Sequence, residues 1–218
     1  MRPIRRLAAL LGILPAALAA QQPVSFNNAW FWGASGGQIS FPTAIARTTA
    51  PEIGVDWLIT RTRFGLQVYA AQSYFDAVST VDNFTAAAPR GVARLVDMQD
   101  LRRVGFNSTM FTPALGRVRP YVGVGYSFNF VKSAIPRGTF YETPAARDTV
   151  FNRLEKAKAS GKLNASLGLM VPVKRFAPFA QVGIMPARGS RSWLVNGNGF
   201  TYLWSLGLRV NAGSSIEK

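Results

Sequence analysis

Any chemistry in this chain must be done without histidine or cysteine, because neither occurs among its 218 residues. That removes Ser-His and Cys-His nucleophiles, thiolate reactivity, disulfides, and the usual ligands of zinc, haem and iron–sulfur clusters. Hydroxyls, ten carboxylates and 25 Lys and Arg remain. The most suggestive carboxylates, Glu52 and Asp56, sit four residues apart in an alternating segment. Extended backbone separates them by roughly 13 Å at about 3.3 Å per residue, too far to cooperate as acid and base. Their better use is charge pairing with Arg103 and Arg209, which fall on the polar faces of other segments. No catalytic, cofactor-binding or metal-binding set is expected.

Those four side chains meet only if the chain turns its polar faces inward, and it alternates at period two almost throughout. In Lys162 to Val173, Leu163, Ala165, Leu167, Leu169 and Val171 share one face, and Asn164, Ser166, Gly168 and Met170 the other. In Arg119 to Phe130, Val122, Val124, Tyr126, Phe128 and Phe130 oppose Tyr121, Gly123, Gly125, Ser127 and Asn129. Phe200, Tyr202, Trp204, Leu206, Leu208 and Val210 oppose Thr201, Ser205, Gly207, Arg209 and Asn211; Ile53, Val55, Trp57 and Ile59 alternate with Glu52, Gly54 and Asp56. Any half-buried strand alternates this way, but a soluble sheet would turn a strongly charged face to water. Here the polar face is small and weakly charged, and the apolar face is rich in large aromatics. Only 16% of residues are charged, against roughly 25% in soluble domains. Apolar outside and small-polar inside is the pattern of a narrow membrane barrel.

Eight strands are expected, near 29–41, 50–61, 63–75, 100–112, 117–132, 161–173, 175–188 and 199–211. Their connections alternate: tight at Arg61-Thr62-Arg63, Pro113 to Gly116 and Val173 to Arg175, long at 76–99 and 133–160, intermediate for the first and seventh. Short turns on one side and long loops on the other are how periplasmic turns and extracellular loops segregate. In the second long loop, Thr143 and Pro144 form a cap and first position for a helix running toward Gly161, with Val150, Phe151 and Leu154 on one face. It either covers the barrel rim or presents a partner surface. Pro89 to Met98 reads as a further helical turn or two. In the first strand, Trp30 and Trp32 imply one outward parity and Ile39 and Phe41 the other, so a bulge or kink is expected among Gly33, Gly36 and Gly37. The fold class is therefore all-β: an eight-stranded, antiparallel, up-and-down transmembrane β-barrel with a short helix in a long extracellular loop.

The run Arg119-Pro-Tyr-Val-Gly-Val-Gly-Tyr126 after a tight turn, with a weaker copy in 177–183, resembles a recurrent strand of the small outer-membrane barrels of the OmpA/OmpX/OmpW-like superfamily. The resemblance covers the chain as architecture. It departs at the C-terminus, where a tail over 212–218 follows the last strand in place of the terminal aromatic residue read by the barrel assembly machinery.

Residues 1–20 have the order of a secretory leader: Arg2, Arg5 and Arg6, an apolar stretch from Leu7, then a small-residue cleavage pattern. Removing them takes three Arg and no acid from the formal charge of +15, leaving +12 for a barrel over 21–211. Export disposes of nucleic acid as the partner of this basic chain. Most acids (Asp76, Asp82, Asp97, Asp100, Glu142, Asp148 and Glu155) lie in or beside the long loops, while each tight turn carries two cations: Arg61 and Arg63, Arg117 and Arg119, Lys174 and Arg175. These six are expected to form a basic collar at the periplasmic rim, snorkelling to lipid phosphates. Loop cations, among them Arg90, Arg94, Arg137, Arg147, Arg153, Lys156, Lys158, Arg188 and Arg191, would face lipopolysaccharide.

In the lumen, Glu52, Asp56, Arg103 and Arg209 must pair, since an unpaired buried charge costs several kcal/mol; they form either an internal plug or a polar pathway for small solutes. Eight strands leave an interior that side chains just fill, which favours the plug. The function expected is that of a non-enzymatic, monomeric outer-membrane barrel, exported by the Sec route, with a structural, adhesive or limited permeation role and no cofactor. A soluble periplasmic lipid-binding barrel is the alternative, and a lipid-modifying outer-membrane enzyme a more distant one, because such enzymes by resemblance rely on the histidine this chain lacks.

Overall fold

The computed structural model describes residues 26–85, 88–138, 144–186, 194–195 and 199–214. The leader expected over 1–20, Glu142, Thr143, Arg188, Arg191 and residues 215–218 lie outside them. Alternating sequence becomes alternating strand: β1 (Ala29–Pro42), β2 (Arg47–Arg61), β3 (Phe64–Thr85), β4 (Ala88–Phe111), β5 (Arg119–Pro136), β6 (Ala159–Met170), β7 (Phe176–Met185) and β8 (Thr201–Ser214), with one helix, α1 (Pro144–Lys158), between β5 and β6. Each strand pairs antiparallel with the next and β8 returns to β1, closing the barrel.

Register fixes its dimensions. Partners followed from Gly36 through Ile53, Gln72, Arg102 and Phe130 reach Ala159 on β6. Followed the other way, through Leu206 and Ala180, they reach Leu169 on the same strand, ten residues away. Eight strands about 4.8 Å apart with that stagger tilt by about 40°, rise about 2.5 Å per residue along the axis, and enclose a radius of about 8 Å.

The faces sort as the alternation demands. On β2, Ile53, Val55, Trp57 and Ile59 turn outward, and Glu52, Gly54, Asp56, Leu58 and Thr60 inward. Val122, Val124, Phe128 and Phe130 of β5, Leu163, Leu167 and Leu169 of β6, and Tyr202, Trp204, Leu206 and Leu208 of β8 are all exposed. Aromatics gather at both ends of this apolar wall. At the tight-turn end Trp32 stacks on Trp57 (centroids 5.9 Å apart) and Trp30 meets its edge at 5.6 Å, beside Phe64 and Phe176. Tyr74, Phe128, Phe130, Phe200 and Tyr202 ring the other end.

Several expectations are corrected. β1 keeps one parity against β2 from Trp30 to Pro42, without a kink at its glycines. Ile39 and Phe41 point inward because apolar groups await them in the barrel mouth, and the one shift, against β8, falls at Trp30/Phe31. The connection expected as a long loop over 76–99 is instead a hairpin: β3 and β4 stay paired beyond the last β2–β3 partners, Glu52 and Ser73. Residues 74–85 of β3 reach about 40 Å further at about 3.3 Å each. The segment 89–98, expected as helix, is strand. Val96 and Met98 are fully buried in the mouth cluster, a reward that an isolated helical turn does not offer. The β3–β4 ladder shifts register between Ser73 and Asp76, where Tyr74 and Phe75 oppose Asp100 at φ 54°, and Val96 and Met98 on one side of this irregularity and Leu101 on the other all face inward. β8 continues through Ser214, three residues into the expected tail, where Ala29 and Trp30 take Ser214 and Gly213 as partners.

Candidate functional site

Two ion pairs cross the lumen, and each bridges one intervening strand. Arg209 Nε of β8 donates to Asp56 Oδ2 of β2 at 2.7 Å, with the arginine only 1% exposed. Between them on β1 stands Gly33, partner of both residues in the ladder. A Cβ there would lie 2.2 Å from Asp56 Oδ1 and 2.8 Å from Arg209 Cγ, so only glycine leaves room for the pair to meet. Arg103 of β4 reaches across β3 to Glu52 in fork geometry, Nε to Oε2 at 3.0 Å and Nη2 to Oε1 at 2.6 Å. The intervening Ser73 joins in, donating to Glu52 Oε2 at 2.8 Å. Thus the structure brings together the four lumen charges expected from sequence, as two neutral pairs.

Neutral groups tie the pairs to the wall. Asp56 only accepts, so Gln67 presents Nε2 to its Oδ2 at 3.2 Å, and the freed Gln67 Oε1 takes Asn107 Nδ2 at 3.1 Å. Asn164 Nδ2 donates to the Tyr69 hydroxyl at 3.2 Å, and the Arg103 guanidinium lies 5.5 Å from the Tyr69 ring centre. Arg209 lies 3.9 Å above Phe179 and 5.9 Å from Tyr121, whose hydroxyl donates to Gln181 at 3.0 Å. Tyr121 can lie flat across β6 because its partner there is Gly168. Gln67, Tyr69, Asn107 and Gln181 were not singled out from sequence. Inward parity was their only signal, and it does not say which polar residues will meet across a barrel.

Among these groups lies a cavity of about 70 Å³, lined among others by Glu52, Asp56, Arg103, Asn107 and Ser166. Asp56 Oδ1, Asn107 Oδ1 and Ser166 Oγ have no partner among the described residues, and such a site suits a few ordered waters, not an acyl chain. Apolar clusters close both ends. At the tight-turn end, Phe26, Phe31, Leu58, Phe111, Tyr121, Met170 and Phe179 pack together. Phe26 meets the edge of Phe111 at 5.0 Å, and its carbonyl accepts the Thr60 hydroxyl. At the other end Ile39, Phe41, Val81, Val96, Met98, Leu101, Val131 and Met185 surround Val150 and Leu154 of α1, each 1% exposed. Of the helix face expected from sequence, Phe151 is the member left exposed. The helix lies over the mouth of the barrel.

The six turn cations share the tight-turn end. Arg61, Arg63, Arg117 and Lys174 are exposed there, while Arg119 and Arg175 are half-buried, Arg119 lying 4.2 Å above the Phe26 ring. On the far side, the β3–β4–β5 extension carries the Arg137–Asp97 ion pair at 2.6 Å, beyond the apolar wall. Its hydrogen bond to the guanidinium holds the Asp97 carboxyl below the usual range and raises Arg137.

A closed eight-stranded antiparallel barrel with an apolar wall and a filled polar lumen is the architecture of the small outer-membrane β-barrels. No protein-family model matches the chain, and no curated protein matches it by sequence. Among solved structures it is similar to Neisserial surface protein A, with a TM-score of 0.53 and 13% identity over 83% of this chain and 96% of that one. The N-terminal β-barrel domain of OprF from Pseudomonas aeruginosa and Ail, the attachment invasion locus protein of Yersinia pestis, both superpose less well. Each has a TM-score of 0.46 and 11% identity over 85% of this chain, with 98% and 99% of their own lengths covered. At these identities the likeness is one of fold.

Proposed function

We propose that this chain is a non-enzymatic barrel of the outer membrane: a closed anchor that holds the β3–β4 extension and α1 at the cell surface. One observation carries the reading. The outer wall is predominantly apolar between two aromatic belts, while two ion pairs stand in the lumen between two apolar clusters. Such a wall suits hydrocarbon and not water, and such a lumen suits neither a pore nor a lipid-binding cup. Both expected lumen carboxylates are ion-paired to guanidiniums, Glu52 to Arg103 and Asp56 to Arg209. The collar of Arg61, Arg63, Arg117, Arg119, Lys174 and Arg175 then sits at the periplasmic phosphates, and the extension carries any structural or adhesive contact.

The test joins gel mobility with conductance. Detergent-extracted protein should migrate differently before and after boiling, and the same preparation should give no steady conductance in planar bilayers. Recovery in the periplasmic fraction without detergent would refute membrane anchoring, and large, steady single-channel currents would refute the closed lumen. Neutralising the six collar residues together should reduce insertion into anionic bilayers; unchanged insertion would remove the collar.

A further inference from the structure

The outer wall is not uniformly convex. A groove of about 560 Å³ crosses β6, β7, β8 and β1, floored by Ala165 and Gly183 and walled by Leu167, Val182, Tyr202 and Trp204. Toward the long-loop end its lining turns polar: Gln38, Ser40 and Thr49 face it, Gln38 accepting the Trp204 indole N–H at 3.3 Å and Thr49 donating to Ser40 at 3.1 Å. Directly above them stands Arg47. Its guanidinium lies 5.2 Å from the Tyr202 ring centre and is oriented by bonds from Nη1 to the Ser40 carbonyl at 3.3 Å and from Nη2 to the Phe200 carbonyl at 3.1 Å. Five N–H donors exceed those contacts, and no carboxylate pairs with Arg47 among the described residues.

Along tilted strands rising about 2.5 Å per residue, this sequence of groups spans the half of the wall nearer the long loops. Apolar walls lie deepest, an aromatic belt and neutral hydrogen-bonding groups come next, and an oriented cation stands at the rim. That is the order of an amphiphile's own parts: acyl chain, ester or sugar oxygens, phosphate. We infer that the groove is a specific site for one phosphate-bearing lipid of the leaflet on the long-loop side, its chain against Leu167, Val182 and Trp204 and its phosphate on Arg47. The inference rests on the membrane-barrel reading above. Arg47 was not among the cations singled out from sequence; what selects it is its placement over the groove.

The test is native mass spectrometry of folded, heat-modifiable protein released from micelles containing equal amounts of phosphatidylglycerol and phosphatidylcholine. The wild type should retain one phosphatidylglycerol in about five-fold preference, the factor expected from about 1 kcal/mol per cation at a membrane surface. R47Q should bring the two lipids to parity while still retaining one lipid. A165W, which fills the floor from outside the lumen, should lose the retained lipid altogether. R102Q, on the opposite wall, should behave as wild type. A preference unchanged in R47Q, or retention unchanged in A165W, overturns the site. Both outcomes are read on protein already shown to be a folded barrel, so failure of the membrane reading would appear separately, as loss of heat-modifiable mobility in the wild type.

Discussion

Removing Arg209 isolates the contribution of the lumen pair. In R209M a side chain of similar length keeps contact with Phe179, but Asp56, 5% exposed, retains only its bond from Gln67. Stranding a buried charge costs about 3–5 kcal/mol. The reverse change, D56L, strands Arg209, yet the guanidinium keeps its place 3.9 Å above Phe179 and near Tyr121. R209M gives up this desolvated cation–π contact, about 2 kcal/mol, and D56L keeps it, so D56L should cost less than R209M. The double variant D56L/R209M removes both charges and leaves apolar groups in an apolar neighbourhood; such replacements are about neutral, or stabilising by about 1–4 kcal/mol. The coupling between the two sites should therefore reach at least about 3 kcal/mol. Denaturant titration of the folded barrel in lipid or detergent, followed by tryptophan emission, measures all four corners of the cycle. If the double variant equals the sum of the single ones within about 0.5 kcal/mol, the scatter expected of independent sites, the pair is not an energetic unit and the reasoning fails.

Leu206 lies outward near the middle of the wall and is 58% exposed; L206R should cost about 2–4 kcal/mol in bilayers, whereas in a soluble barrel a surface change of this kind stays within about 0.5 kcal/mol. L154A should remove about 2–5 kcal/mol of helix docking and speed tryptic cleavage after Arg153, Lys156 and Lys158 in intact proteoliposomes, without changing the boiling-dependent gel shift. Asp97 should titrate below the ~3.9 of a free aspartate by NMR. Its lowered value means that the Arg137 contact stabilises the extension above that range and is lost as pH falls through the folded value; R137Q should return the titration to normal.

Alternation was enough to separate wall from lumen on β2, β5, β6 and β8, because a side-chain period of two is a local property of extended backbone. Parity likewise puts Glu52, Asp56, Arg103 and Arg209 on inward faces, as it does Lys162, a further buried charge, 3% exposed, that carried no expectation. Which of them pair was not legible. That depends on a ten-residue stagger around the ring and on Gly33 standing between Asp56 and Arg209, both products of closure.

Elsewhere local reading failed where distant groups supplied the deciding energy. Ile39 and Phe41 look outward-facing beside two tryptophans, yet α1 and the β3–β4 extension give them an apolar mouth to fill. Residues 89–98 look helical taken alone, but pairing with β3 satisfies their backbone and buries Val96 and Met98. By itself, then, the sequence determined a narrow barrel with a lipid-type wall, and excluded histidine and thiolate chemistry. Only the tertiary structure decided that the lumen charges pair as Asp56–Arg209 and Glu52–Arg103 between two apolar clusters, and that Arg47 stands over a groove, because both depend on contacts between strands far apart in the chain.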